Sequence, residues 1–234
     1  MEDSKKESKA KNFIKRYCNN KLAVIGFFTL VLITLIVIIA PPFLPFSEAE
    51  IDPLAFNMPP SAKHLLGGDD VGRDVLSRLL YGGRVSLAVG IFSTAVSVIV
   101  GIPLGMLAAF YRGAFEVVVM RLSDIFMSFP STILILFLVS MFGPSIITVT
   151  VVIGVLGWPK FARQIYGSVL SIREKDYIEG AVAIGAKDKL IITRYILPNA
   201  VAPIFISITF RIASAIILES SLSFLGMGVQ PPAA

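Results

Sequence analysis

The sequence predicts an all-α membrane protein, a polytopic helical bundle with five spans, and three observations predict it. Of the 234 residues 55% are hydrophobic and only 16% charged, where a soluble domain usually has about a quarter of its residues charged. Several charge-free or charge-poor runs are long enough to cross a hydrocarbon core of roughly 30 Å. Lys and Arg collect at alternate ends of those runs. A core large enough to bury such runs away from lipid is beyond a chain of this length. The single cysteine, Cys18, provides neither an internal disulfide nor a cysteine-based metal site. The net charge of +5 carries no nucleic-acid signal, because the placement of the charges follows the spans.

The first span is the charge-free stretch from Leu22 to Leu44. A cleaved signal peptide is the alternative, but its apolar region would be about 7 to 15 residues and would end at small residues rather than at Pro41 and Pro42. The second span covers Val85 to Tyr111, with Pro103 expected to kink it. The run from Ile125 to Pro159 is too long for one crossing and contains the turn signal Gly143, Pro144, Ser145, so it reads as two helices. The fifth span, Ile196 to Leu225, is interrupted only by Arg211 and Glu219.

Cytoplasmic loops hold the excess of Lys and Arg. With the N-terminus inside, residues 1–21, the turn bearing Arg112 and Arg121, and residues 160–195 together contain 16 of the 21 basic residues. The outer pieces keep Lys63, Arg73, Arg78 and Arg84 and carry six acids, among them Asp69, Asp70 and Asp74. Five spans then leave the C-terminus outside, and the expectation is a sequence cut short before a sixth.

Along the second span Gly82, Ser86, Gly90, Ser93, Ser97, Gly101 and Gly105 recur at intervals of three and four, which puts small residues on one helix face. In lipid such a face lets another backbone approach closely; a substrate-lining face is the other reading. Arg211 and Glu219 face protein or water, since an ionisable group at the bilayer centre costs roughly 2.5 to 3.5 kcal/mol by insertion scales. Two turns apart on one helix, they do not pair directly, so each needs a partner such as Ser207 or Ser214 or a group on another chain. For Arg211 the expected setting is a translocation path or a subunit contact. For Glu219 a wet position at the outer interface is the simpler alternative.

Residues 64–84 read as glycine turns followed by an interfacial amphipathic helix capped by Asp69 or Asp70. Three close aspartates and His64, the one histidine, do not amount to a metal-ligand set. Residues 160–195 are too long and too patterned for a simple connector; Tyr177, Ala181, Ile184, Leu190 and Ile191 have helical spacing broken at Gly185. Two short helices below the membrane are expected, a solvated helical hairpin being the bland version. No phosphate-binding loop, H-E-x-x-H or G-x-S-x-G pattern occurs, so no catalytic residue and no cofactor is expected in this chain.

In the same loop the stretch Glu179, Gly180, Ala181, Val182, Ala183, Ile184, Gly185, followed by Ile196, Leu197, Pro198, Asn199, resembles the cytoplasmic signature of permease subunits in binding-protein-dependent ABC importers. That signature is written E-A-A, three residues, G, and later I-x-L-P. Gly180 stands where the first alanine is usual, and the isoleucine is shifted by one. The segments LGGDDVGRDVLSRLLYGGRVSL and ESSLSFLGMGVQPP are similar to the dipeptide, oligopeptide and nickel branch. The resemblance runs from Leu22 to the last residues.

It implies a type I importer permease fold with six spans, the sixth missing here. Residues 1–21 would be a basic cytoplasmic tail, 22–44 the first span, 45–84 an external loop with its amphipathic helix, and 85–234 a permease core with a coupling loop at 160–195. It further implies that Glu179, Gly180, Ala181, Ala183, Gly185, Ala186, Leu197 and Pro198 couple the chain to an ATPase. The implied partners are a second homologous permease, two ATP-binding subunits that hold ATP and Mg, and an external solute-binding protein. The implied location is the cell membrane, the substrate a peptide or nickel. A channel or passive pore is the alternative. An intramembrane enzyme using Asp124 and Glu219 is excluded by their expected placement near opposite faces.

Overall fold

A computed structural model describes residues 18–229. The basic residues Lys5, Lys6, Lys9, Lys11, Lys15 and Arg16 of the expected tail, and the terminal Gln230, Pro231, Pro232 landmark, lie outside the described residues. Seven helices carry the fold: α1 (Lys21–Ile39), α2 (Val75–Tyr111), α3 (Gly113–Ser128), α4 (Ser131–Phe142), α5 (Ile146–Arg173), α6 (Asp176–Ala183) and α7 (Ala202–Phe224). Among the described residues no β-strand forms, and only two isolated bridges occur, Ile51 with Arg73 and Gly68 with Asp74.

Helices α1, α2, α5 and α7 are each long and apolar enough to cross a membrane. α3 and α4 supply a fifth candidate span as a broken pair bent by 88°. The break has a local cause. Pro130 forces Phe129 into extended backbone, φ −93° and ψ 142°, because a residue before proline cannot stay helical without clashing with the ring. The expected two-helix reading of 125–159 is therefore corrected in detail. The turn at Gly143 (φ +86°) and the start of α5, where Ser145 accepts from the Thr148 N–H at 3.0 Å, lie where expected, but the helix before them starts at Gly113 and breaks in mid-run. α2 stays one helix through Pro103.

Residues up to Arg84 and residues from Val85 form two compact units, the division falling within α2. In the first unit α1 is apolar on all sides, with Phe28 and Leu30 largely exposed, as suits a helix whose solvent is lipid. The Arg84 guanidinium closes its C-terminal end, donating to the carbonyls of Val37 at 3.1 Å and of Ile38. A cation there satisfies carbonyls left without helical partners and opposes the negative end of the helix dipole. The expected interfacial helix is not a separate element; it is the first turns of α2. Its cap is Asp74, which accepts from the Ser77 N–H at 2.8 Å, and not Asp69 or Asp70.

The second unit is organised on α5. At the α2 contact, a Cβ on Gly101 would press on Phe161 and the Trp158 carbonyl, and one on Gly105 would overlap the Ala162 carbonyl. Reciprocally, a Cβ on Gly154 would meet Val96 at 2.8 Å. Ser97 donates from this seam to the Gly154 carbonyl at 2.7 Å. Gly90 faces α7 instead, where its Cβ would meet Ile216. Gly90, Ser97, Gly101 and Gly105 thus lie against neighbouring helices, whereas Gly82 has open space around it. Around the seam lie three apolar clusters. Val89, Val139, Ile153 and Leu222 join α2, α4, α5 and α7; Ala108, Val119 and Trp158 join α2, α3 and α5; and Ala109, Ile165, Ile178, Ile191, Ile196 and Ile204 tie α6 and the segment after it to α2, α5 and α7.

Replacing Gly105 by alanine puts a methyl into a backbone carbonyl, and overpacking of this kind costs about 1 to 3 kcal/mol. The expected outcome in detergent is a lowered unfolding temperature for Gly105→Ala and none for Gly82→Ala, where alanine only improves helix propensity. Differential scanning fluorimetry on the two variants checks this.

Candidate functional site

The loop after α5 is not a solvated hairpin. α6 buries Ile178 and Ala181 against α5 and the residues that follow, because its apolar positions three apart share one face. It ends in a two-bond glycine cap: the Gly185 N–H donates to Val182 O at 2.9 Å and the Ala186 N–H to Ala181 O at 3.0 Å. Gly185 adopts φ +76°, the left-handed conformation this cap requires and L side chains resist.

Among the residues singled out in this loop, Glu179, Gly180, Ala183 and Gly185 are exposed, and no heavy atom would come within 4 Å of a Cβ built on either glycine. Ala181 faces the other way, into the protein's own core. Ala186 is half-buried as the second capping residue.

From Asp188 to Ala200 the chain is helical but uneven, with a wider π-type turn at Ile191–Ile196 between two short α segments. The Leu197 N–H reaches back five residues to Ile192 O. Pro198 has no N–H to give the Arg194 carbonyl, and such turns widen where the ordinary bond cannot form. Leu197 is half-buried and Pro198 exposed, and Ile196, Ala200 and Ile204 continue the buried face directly into α7. α6 and α7 therefore share one apolar cluster. Beside α6 lies a groove of about 560 Å³ lined by Phe110, Tyr111, Arg173, Glu179, Val182 and Asp188, among others. Arg173 lies over the Phe110 ring at 5.7 Å.

In α7, Arg211 donates from Nη2 to the Ile153 carbonyl at 2.7 Å and packs where only Gly157 leaves room. Its partner is a backbone carbonyl and not Ser207 or Ser214, although both serines line the same cavity. Glu219 is buried, 4% exposed, which overturns the wet-interface alternative. Its carboxylate accepts from Ser86 on α2 and from Ser223 one turn on, both at 2.8 Å. Asp124 is paired with Arg163.

Residues 101–234 match the family model described as binding-protein-dependent transport system inner membrane component. Residues 8–60 match the N-terminal TM domain of oligopeptide transport permease C. The chain is 38% identical over 218 residues, 93% of its length, to the dipeptide transport system permease protein DppC of Alkalihalophilus pseudofirmus, of which 72% is covered. This chain belongs to the family of binding-protein-dependent inner membrane transport components. It is also 39% identical over 224 residues, 95% of its length, to the glutathione transport system permease protein GsiD of Pectobacterium atrosepticum, of which 74% is covered. A structure of the MetNI methionine ABC transporter in inward-facing conformations matches with a TM-score of 0.57 at 22% identity, over 64% of this chain and 76% of that one, and so shares the fold.

In this transport component the segment before α2 holds a polar network that sequence reading missed. His64 is buried, its ring nitrogens 3.0 Å from Asp74 and 3.4 Å from Asp52, stacked on Phe46. Lys63 reaches Asp52 at 2.6 Å. Asp69, offered to a helix cap by its sequence, instead accepts from the N–H groups of Val71 and Arg73 and pairs with Arg73 and Arg78. Ser86 carried no sequence signal beyond its size, and the lining of the groove beside α6 comes from four separate elements that no local pattern links.

Two outcomes follow from this geometry. The hydrogen bond from Lys63 and that from the Leu54 N–H hold Asp52 down to about 2, from an ordinary 3.8. For Asp69 burial works upward, but hydrogen bonds from Arg73, Val71 and Arg78 outweigh it and its carboxyl also lies low. Lowered folded-state values mean that the ordering is complete above about pH 4 and is lost as pH falls toward about 2. Amide hydrogen exchange across residues 51–73 should therefore be slow at about pH 5 and fast at about pH 2.5, relative to intrinsic rates. At the α6 cap, Gly185→Ala costs about 1 kcal/mol and Gly185→Asn less, since asparagine tolerates the left-handed region; local exchange protection in 176–186, compared across the two variants, reads the difference.

Proposed function

We propose that this chain is a permease subunit of an ATP-driven importer, translocating peptides delivered by an external binding protein. The single observation that carries the reading is the shared apolar cluster of α6, the 191–200 segment and α7, which makes an exposed surface helix and a membrane helix one mechanical body. Peptides are favoured over nickel or a nickel chelate by the names of the similar permeases, which specify dipeptides and glutathione.

In this reading a second homologous permease and two ATP-binding subunits complete the complex in the bilayer. ATP and Mg belong to the ATP-binding subunits; this chain assigns no residue to them and carries no catalytic role. Glu179, Gly180, Ala183 and Gly185 supply the docking face, small enough for close approach. Ala181, Ala186 and Leu197 hold that face to the core, and Pro198 marks the joint through which its movement reaches α7. The excess of basic residues at 1–21 and 160–195 supports a cytoplasmic N-terminus and a cytoplasmic α6. Binding of ATP would draw the paired ATPases together and with them the two coupling helices, opening the path outward; hydrolysis would reset it, as differential affinity for two states requires.

Gly180→Trp tests the assignment without disturbing the fold, because its backbone is helical and the space beyond it is open. In mild detergent the native chain should co-purify with its ATP-binding and second permease subunits. The variant should insert normally, lose the ATPase and lose ATP-dependent peptide uptake. A Gly180→Trp complex with native ATPase content and native uptake would overturn the coupling assignment.

A further inference from the structure

Between α5 and α7 lies a cavity of about 310 Å³ whose polar lining is Lys160 and Arg211 together with Gln164, Ser207 and Ser214. Among the described residues no carboxylate lines it. Among the described residues neither cation has an acidic side chain within ion-pair distance: the nearby acids are used elsewhere, Asp124 by Arg163 and Arg121, and Glu219 by Ser86 and Ser223. Arg211 sits about 14 Å along the helix axis from Ala202, well inside a span, where an uncompensated charge is costly.

The guanidinium is also held in place. Nη2 is fixed on the Ile153 carbonyl at 2.7 Å, Gly157 admits the group, and Nε is buried with no hydrogen-bond partner. A planar donor held by one corner, lining the cavity with an ammonium from the facing helix, matches the two oxygens of a carboxylate. The neutral lining adds hydroxyl and amide groups without introducing repulsion, and the volume is at the lower end of small-molecule sites, the size of one terminal residue rather than a whole peptide.

We propose that the Lys160–Arg211 cavity is a carboxylate site on the translocation path, taking the C-terminal carboxylate of a peptide in transit. The proposal rests on the peptide-importer reading. It gives that path a charge preference that belongs to the membrane subunit and not to the binding protein.

The test uses the complete complex in liposomes with two probes, trialanine and trialanine amide, each supplied on saturated binding protein. Uptake is measured for the native chain, Arg211→Gln, Arg211→Lys and Lys160→Gln. Because the binding protein is the same throughout, its own preference cancels when acid-to-amide ratios are compared between variants. Loss of one charge-assisted hydrogen bond is expected to lower that ratio about tenfold in Arg211→Gln. Lys160→Gln should lower it in the same direction, and Arg211→Lys should restore most of it. Where Arg211→Gln fails to assemble, Lys160→Gln, at an exposed position of α5, decides alone. ATP-dependent uptake with a ratio unchanged in the Gln variants, both peptides slowing equally, overturns the carboxylate site and leaves the importer reading standing. A native complex that carries neither peptide overturns the importer reading itself.

Discussion

Close backbone approach between α2 and α5 is the constraint on which the second unit depends. In lipid no water is expelled when two helices meet, so contact must come from van der Waals packing and hydrogen bonds. Both improve as the helix axes draw together, and only glycine permits the approach at Gly101, Gly105 and Gly154. Once the helices are that close, Ser97 spans the seam to a backbone carbonyl, and the carbonyl of Ile153 is within reach of Arg211 on α7. The small-residue face therefore positions the charged cavity as well as the packing. A larger residue at Gly157 would collide with both the Ser97 hydroxyl of the seam and the Arg211 guanidinium.

The same helix organises both ends of the unit. Eight of the eleven buried residues along α5 belong to the three apolar clusters, so the α6 region packs on the same helix as the rest of the unit. The π-type turn at Ile191–Ile196 is one irregularity between α6 and α7, beside the glycine cap at Gly185 and the bend at Val201. A proline that cannot donate leaves the local ladder one residue out of step, and a turn of that kind accepts rotation more readily than a continuous helix. The shared cluster joins α6 to α7 across that turn.

The first unit solves a different problem. Residues 45–74 contain little regular structure, so their backbone groups are satisfied by loop bonds such as Asp52 N–H to Gly72 O at 2.9 Å and Asn57 N–H to Asp69 O at 3.0 Å, and by side chains: Asp52 and Asp69 accept from nearby N–H groups, and Ser77 donates to the Phe46 carbonyl at 2.9 Å. Gly68 and Gly72 pass so close to the backbone of Ala55 and Asp52 that a side chain would collide. Order here comes from charge-assisted hydrogen bonds and tight turns in place of a large apolar core.

What the sequence determined by itself was the class of solvent, the number of apolar runs, the small-residue face and the loop signature, because each is a local or periodic property: absence of charge over a span, a three-to-four spacing, a motif of seven residues. Glycine at 185 as a helix stop was legible for the same reason. Tertiary structure alone decided the partners of buried polar groups. Glu219 finds Ser86 across 133 positions of sequence, Arg211 finds a carbonyl rather than a serine, and Ala181 turns inward while Gly180 beside it turns out. Spacing says which residues share a face, but which face meets protein is set by long-range packing. The helix break at Pro130 and the role of Asp74 over Asp69 lie between these cases. Their signals were present in the sequence, yet which of several competing caps and turns prevailed depended on hydrogen bonds that only the folded chain brings together.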